Sequence, residues 1–106
     1  MSAHRRRLVL TSRVRMDVRD ILRHTSRLWG RDQRAVYRAT LDEAMQALLI
    51  HAFRGLPRLD LAPSVHALPI AAHIVYYSVG DGEITILRVL HTAMDAAAAF
   101  RHEPLP

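Results

Sequence analysis

The sequence predicts an α+β domain: an N-terminal strand, an antiparallel helix hairpin, then antiparallel strands forming one small sheet with the helices on one face. Three observations carry this. Two stretches with helical apolar spacing are separated by Gly30, and two apolar runs, "AHIVYYSV" and "EITILRVLH", flank the turn Gly80-Asp81-Gly82. The third is length, since 106 residues, half of them apolar, suit a single domain over 1–106 with little room for a second.

The elements follow in order. "RRLVLT" is a short strand, because Leu8 and Leu10 alternate with Arg7 and Val9 before Thr11 and Ser12 stop it. Ser12 is the expected N-cap of a first helix. From Arg13 to Trp29, the residues Val14, Val18, Ile21, Leu22, Thr25, Leu28 and Trp29 fall within about 120° at about 100° per residue, which makes one helical face apolar. Gly30 ends that helix. On the adjacent arc Arg15, Arg19, Arg23 and Arg27 recur one turn apart, a basic stripe that is either a solvated face or an electrostatic surface.

Asp32 can cap a second helix running to about Arg54, closed by Gly55 and Pro57. Its core face is Tyr37, Leu41, Ala44, Met45, Leu48 and Ala52. The pattern breaks at its end, where Leu49, Ile50 and Phe53 lie on the side that was polar earlier. Either the leucine-rich loop that follows folds over them or a partner covers them. Residues 56–69 read as a proline-punctuated loop with a brief strand at Val65 to Leu68, and residues 95–101 as a short helix.

Composition excludes several functions. With no cysteine there is no disulfide, thiolate catalysis or Cys-ligated zinc, and no His-x-x-x-His pair occurs among the seven histidines, so neither metal nor cofactor is expected. No apolar run approaches the roughly 20 residues of a membrane span, and "MSAHRRRLVLTSR" lacks the apolar core of a secretory signal. The reading is a cytoplasmic protein without a membrane partner. Charge is lopsided: residues 1–38 hold eleven Arg against three Asp, net +8, and residues 39–106 hold four Arg against seven acids, net −3. All fifteen basic residues are Arg, which removes Lys as a catalytic group.

Two segments, "RRRLVLTSRVRMDVRDILRHTSRLWGRDQ" and "RGLPRLDLAPSVHALPIAAHIVYYSVGDGEITILRVLHTAMD", resemble the RelE/ParE superfamily of toxins, and specifically its ParE branch. The most specific parts are the Asp-hydrophobe-Arg-Asp-Ile…Trp-Gly of the first helix and the Arg-Val-Leu-His of the last strand. The resemblance implies the toxin of a type II toxin-antitoxin pair, neutralised by a ParD-like antitoxin whose C-terminal segment wraps it, with DNA met only through the antitoxin or the target. ParE toxins poison DNA gyrase, whereas RelE-like relatives cut messenger RNA on the ribosome. A third alternative is a degenerate toxin that retains only antitoxin binding.

Residue chemistry weighs these readings. Cutting RNA through its 2′-hydroxyl needs a base, an acid and cations for the phosphate in one concave site. The sheet and tail offer Arg88, Arg101, His66, His73, His91, His102, Tyr76 and Tyr77 but no Lys. Scarce cations on the sheet favour a non-catalytic inhibitor of gyrase over a ribonuclease. ParE-like chains also commonly carry Arg in the stretch matching "SVHALPIAAH", where this chain has His66 and Ala72.

The strand end "RVLH" stands out. In a regular strand Arg88 shares a face with Ile84, Ile86 and Leu90, and His91 shares the other with Thr85, Leu87 and Val89. Arg88 is either a structural side chain paired with a helix acid such as Asp17 or Asp20, or part of an exposed, target-facing edge with His91, His73 and Tyr77. For the antitoxin, the expected seat is Leu49, Ile50 and Phe53, by helix-in-groove recognition.

Overall fold

The computed structural model describes residues 5–102. Strand β1 spans Arg7–Leu10, and helices α1 (Ser12–Trp29) and α2 (Arg31–Ala47) form the hairpin. Strands β2 (Leu56–Pro57), β3 (Val65–Ile70), β4 (His73–Val79) and β5 (Glu83–His91) follow, and α3 covers Ala96–His102.

The cap of α1 is Thr11 rather than Ser12, its side chain accepting from the Val14 N–H at 3.1 Å. Gly30, at φ 90°, both closes α1 and opens α2, with Asp32 in the first turn of α2 and not at its cap. Helix α2 ends seven residues before Arg54. Leu48, Leu49 and Ile50 donate to the carbonyls three residues back, a tightening that turns the chain off the α-helical path. Leu48 and Ala52 remain buried while Ile50 and Phe53 turn outward.

The sheet order is β1-β5-β4-β3-β2. Strands β2 to β5 pair antiparallel, but β1 runs parallel to β5, from Arg7 opposite Glu83 to Leu10 opposite Ile86, so the sheet is mixed. A parallel pairing needs a long crossover, which the helix hairpin supplies. Val14, Leu41, Met45 and Leu48 pack from the hairpin on Val75, Tyr77, Ile84, Ile86 and Val89 of one sheet face. Each such buried aliphatic side chain contributes about 1.5–3 kcal/mol. Short α3 covers the other face, where Ala96 and Phe100 meet Tyr76, Leu87 and Leu90.

One irregularity decides which way the strand end points. Tyr76 lies opposite Arg88 while Tyr77 lies opposite Ile86, so Leu87 is an extra residue in β5. Before this bulge the even-numbered residues Ile84 and Ile86 face the hairpin; after it Val89 does, and Leu90 joins the α3 side. The expectation of uniform alternation therefore fails at Arg88, and His91 shares a face with Val89 but not with Leu87.

Candidate functional site

Strand β5 loses its β1 neighbour after Ile86, where Thr11 N–H donates to the Ile86 carbonyl and the chain turns into α1. Asp17, on the second turn of α1, returns to that vacated edge. Its Oδ2 accepts from the Val89 N–H at 3.1 Å and from Arg88 Nε at 2.8 Å, and its Oδ1 accepts from Arg88 Nη2 at 3.1 Å. Arg13 Nε stands 3.7 Å from the same Oδ1. Asp17 is 9% exposed and Arg88 5%. The two-toothed, charge-assisted pair thus closes the edge of β5 as a further strand would. Arg88 is the structural partner of a helix acid, and its guanidinium does not stand on an exposed edge.

Tyr77 is corrected in the same way. It is fully buried, its hydroxyl donating to the Ala52 carbonyl at 2.8 Å and accepting from the Gly55 N–H at 2.9 Å, so it ties the end of the hairpin to the sheet. Burial, partly offset by the Gly55 bond, raises its phenol above the ordinary value. Gly55 is required by this approach: a Cβ there would lie 2.8 Å from the Tyr77 hydroxyl and 2.9 Å from the Ala67 carbonyl.

His73 and His91, in contrast, come together. They are cross-strand partners on β4 and β5, with ring centroids 5.4 Å apart at 85°. Both open into a groove of about 670 Å³ between the distal half of the hairpin and the sheet end. Helix α1 contributes Asp20, Ile21, His24, Leu28 and Trp29 to it, and α2 contributes Val36 and Tyr37. Leu28, Trp29 and Val36 are 59%, 70% and 57% exposed, so the end of the predicted apolar face of α1, joined by Val36 of α2, forms an uncovered apolar wall here. Burial, then His91 and His24, push the His73 imidazole below its ordinary value, and burial pushes the Tyr37 phenol up.

A backbone hydrogen bond fixes what His91 presents, and the Tyr37 hydroxyl governs what His73 presents. His91 Nδ1 accepts from the Ala93 N–H at 3.0 Å, which leaves the ring proton on Nε2. His73 Nδ1 faces the Tyr37 hydroxyl and, in the neutral ring with its proton on Nε2, accepts from it. The Ile70 carbonyl lies 3.4 Å from the same hydroxyl. Neutral His91 thus offers an Nε2–H, and His73 offers the same when Tyr37 donates to its Nδ1. A metal would need Nε2 unprotonated and Nδ1 protonated, which sets donor against donor at Ala93; among the described residues no group of three His, Cys, Asp or Glu could hold a metal ion.

The proposed antitoxin seat divides. Leu49 packs against the core, whereas Ile50 and Phe53 are 79% and 66% exposed. They border an open depression of about 710 Å³ with Arg6 and Arg54. The following loop does not cover them, since Leu56 and Leu59 are themselves exposed. Phe53 meets His66 edge to face, with the Arg6 guanidinium 5.8 Å from its ring centre. Arg15, Arg19, Arg23 and Arg27 are all exposed along α1.

Sequence reasoning missed Tyr37, His24 and Asp20 as groove residues. Tyr37 was assigned to the core by its spacing; its polar end was the available signal. His24, one turn beyond Asp20 and flanking the apolar arc, was another.

Known proteins share this architecture and sequence. Residues 8–96 match the family model described as ParE toxin of type II toxin-antitoxin system, parDE. The chain is similar to Toxin ParE1 of Caulobacter vibrioides, 32% identical over 89 residues, covering 84% of this chain and 92% of that protein. It is similar also to Toxin ParE1 of Mycobacterium tuberculosis, 29% identical over 90 residues with the same coverage. A solved structure from the chromosomal ParDE TA system of P. aeruginosa shares the fold at a TM-score of 0.73, with 24% identity over 84% of this chain and 98% of that one. With the family match spanning most of the chain from β1 to the start of α3, this protein belongs to the ParE toxin family of type II toxin-antitoxin systems.

Proposed function

We propose that this ParE-family toxin acts in the cytoplasm by poisoning DNA gyrase and is held inactive by a ParD-like antitoxin. The carrying observation is the buried pairing of Arg88 with Asp17. A ribonuclease acting from the sheet needs a cation free to meet a phosphate, and the one Arg of β3 to β5 is turned to a helix carboxylate. What remains at the sheet end is a two-histidine, apolar-walled groove, better suited to contacting a protein than to cleaving RNA. His73 and His91 carry the target-facing role in this reading. Arg88 and Tyr77 support it from within the fold.

The antitoxin is assigned to the outer side of the hairpin end, where Ile50 and Phe53 stand exposed and could enter the apolar face of an amphipathic helix. Purified toxin added to gyrase should impair supercoiling and accumulate cleaved DNA, while ribosome-bound messenger RNA stays whole. Codon-position cleavage in a reconstituted translation assay, with gyrase unaffected, would reverse the assignment. Inactivity in both assays, with antitoxin binding retained, would identify a degenerate toxin.

A further inference from the structure

We propose that His73 and His91 form a carboxylate receptor: their two Nε2–H groups seat one acidic side chain of a partner's amphipathic segment, whose apolar neighbours lie on Leu28, Trp29 and Val36. The inference does not depend on whether gyrase is the target.

Donor chemistry comes first. Both Nδ1 atoms are engaged: the Ala93 amide donates to that of His91, and where Tyr37 donates to that of His73 each neutral ring presents its Nε2–H. Rings 5.4 Å apart can address the two oxygens of one carboxylate, an acceptor-only group. On His91 the Ala93 amide already takes the Nδ1 lone pair, so that ring meets a ligand as a donor.

Long-range electrostatics agree. Residues 1–38, with eleven Arg against three Asp, are net +8, and exposed Arg15, Arg19, Arg23 and Arg27 run along the same helix that walls the groove. Such a field draws an acidic segment toward the groove. The wall then selects an amphipathic one, because three large apolar side chains more than half exposed gain most by being covered together.

The charged and titratable groups lining the groove are Asp20 and His24 from α1, Tyr37 from α2, His73 from β4 and His91 from β5. Asp20 opposes an incoming carboxylate and sets a limit on its affinity. The Tyr37 hydroxyl gives His73 a way to take up a proton, since on protonation of Nδ1 it can turn and donate to the Ile70 carbonyl. Free His73 lies below its ordinary value, and a bound carboxylate favours its charged form. Binding therefore takes up a proton and tightens as pH falls.

The test uses a blocked peptide, acetyl-Ala-Leu-Glu-Trp-Leu-Ala-amide, its Gln counterpart, and hexanoate as a free acid, titrated into toxin labelled with nitrogen-15 and followed at the histidine ring nitrogens by NMR. The Glu peptide should shift His73 and His91 together, binding roughly fivefold more tightly at about pH 6 than at about pH 7.5. The Gln peptide should bind more weakly and without that pH dependence. Asp20→Asn should tighten the Glu peptide, and His91→Phe, shown folded by its melt, should abolish its advantage over Gln. Equal binding of Glu and Gln peptides, or shifts confined to the arginines of α1, would overturn the proposal. Hexanoate binding more tightly than the peptide would overturn its assignment to a partner protein.

Discussion

Replacing Arg88 with Met removes the guanidinium from a carboxylate that is 9% exposed and keeps most of the aliphatic stem. Asp17 then retains the Val89 N–H and the more distant Arg13, but loses both short charge-assisted bonds. Breaking a buried ion pair from one side costs about 3–5 kcal/mol, because the surviving charge remains desolvated. For a chain of this length, with an unfolding entropy near 0.2 kcal/mol per degree, that lowers the melting temperature by about 13–22 °C. It is a large share of the roughly 5–15 kcal/mol that holds such a domain folded. The double variant Asp17→Leu with Arg88→Met removes both charges of the pair, leaves the Val89 N–H without its acceptor at about 1–3 kcal/mol, and takes away the more distant carboxylate that Arg13 faces. It should therefore melt above the single variant. Far-UV circular dichroism melts at neutral pH, alongside antitoxin binding, separate this from a role at the target, since toxicity in cells is lost in both cases. If Arg88→Met melts within about 4 °C of the parent, equivalent to about 1 kcal/mol, and binds antitoxin yet is no longer toxic, the structural reading fails and the guanidinium acts on the target.

Other expectations follow from single contacts. Phe53→Ala should weaken antitoxin binding measured by calorimetry, by about tenfold or more for a central aromatic anchor, with the melt unchanged because the ring is 66% exposed; unchanged affinity would put the antitoxin elsewhere. The folded protein holds His73 below the ordinary 6.5, so the unfolded chain binds more protons as pH falls through that value. Stability present above about 6.5 is lost as pH drops toward the depressed folded value, and His73→Gln should flatten this part of the melting profile. Gly55→Ala should cost about 1–3 kcal/mol in a denaturant melt, because the new methyl collides with the Tyr77 hydroxyl and the Ala67 carbonyl.

The helices and the β4–β5 hairpin were legible because their signals are local. Helical spacing placed Val14, Leu22, Leu41 and Met45 inside, and the Gly-containing turn fixed the hairpin. The β3–β4 hairpin was not legible as such. Its two-residue turn is Ala71-Ala72, with Ala71 at φ 52°, a left-handed conformation that sequence rules reserve for Gly or Asn. Pro69 also argued against a long strand, and is tolerated because β2 pairs β3 only at His66 and Ala67 and leaves Pro69 beside an open edge. The parallel pairing of β1 depends on where a crossover returns, which no window of sequence records.

The site was half legible for a related reason. Residue types told that Arg88 needed an acid if buried and that Asp17 was a candidate, but the side chain's direction depended on the bulge at Leu87, a mismatch between two strands rather than a property of either. That same extra residue turns Val89, and with it His91, toward the hairpin, where His91 meets His73, whose Nδ1 faces the Tyr37 hydroxyl. Strict alternation would have sent Arg88 and Leu90 to the hairpin face and His91 to the side covered by α3. The bulge thus links the two features: it accompanies Arg88 reaching the edge that Asp17 closes, and it brings the second imidazole to the groove. Deleting Leu87 should therefore disturb the Arg88–Asp17 pair and the His73–His91 pair together, whereas Arg88→Met should loosen the first and leave the second in contact.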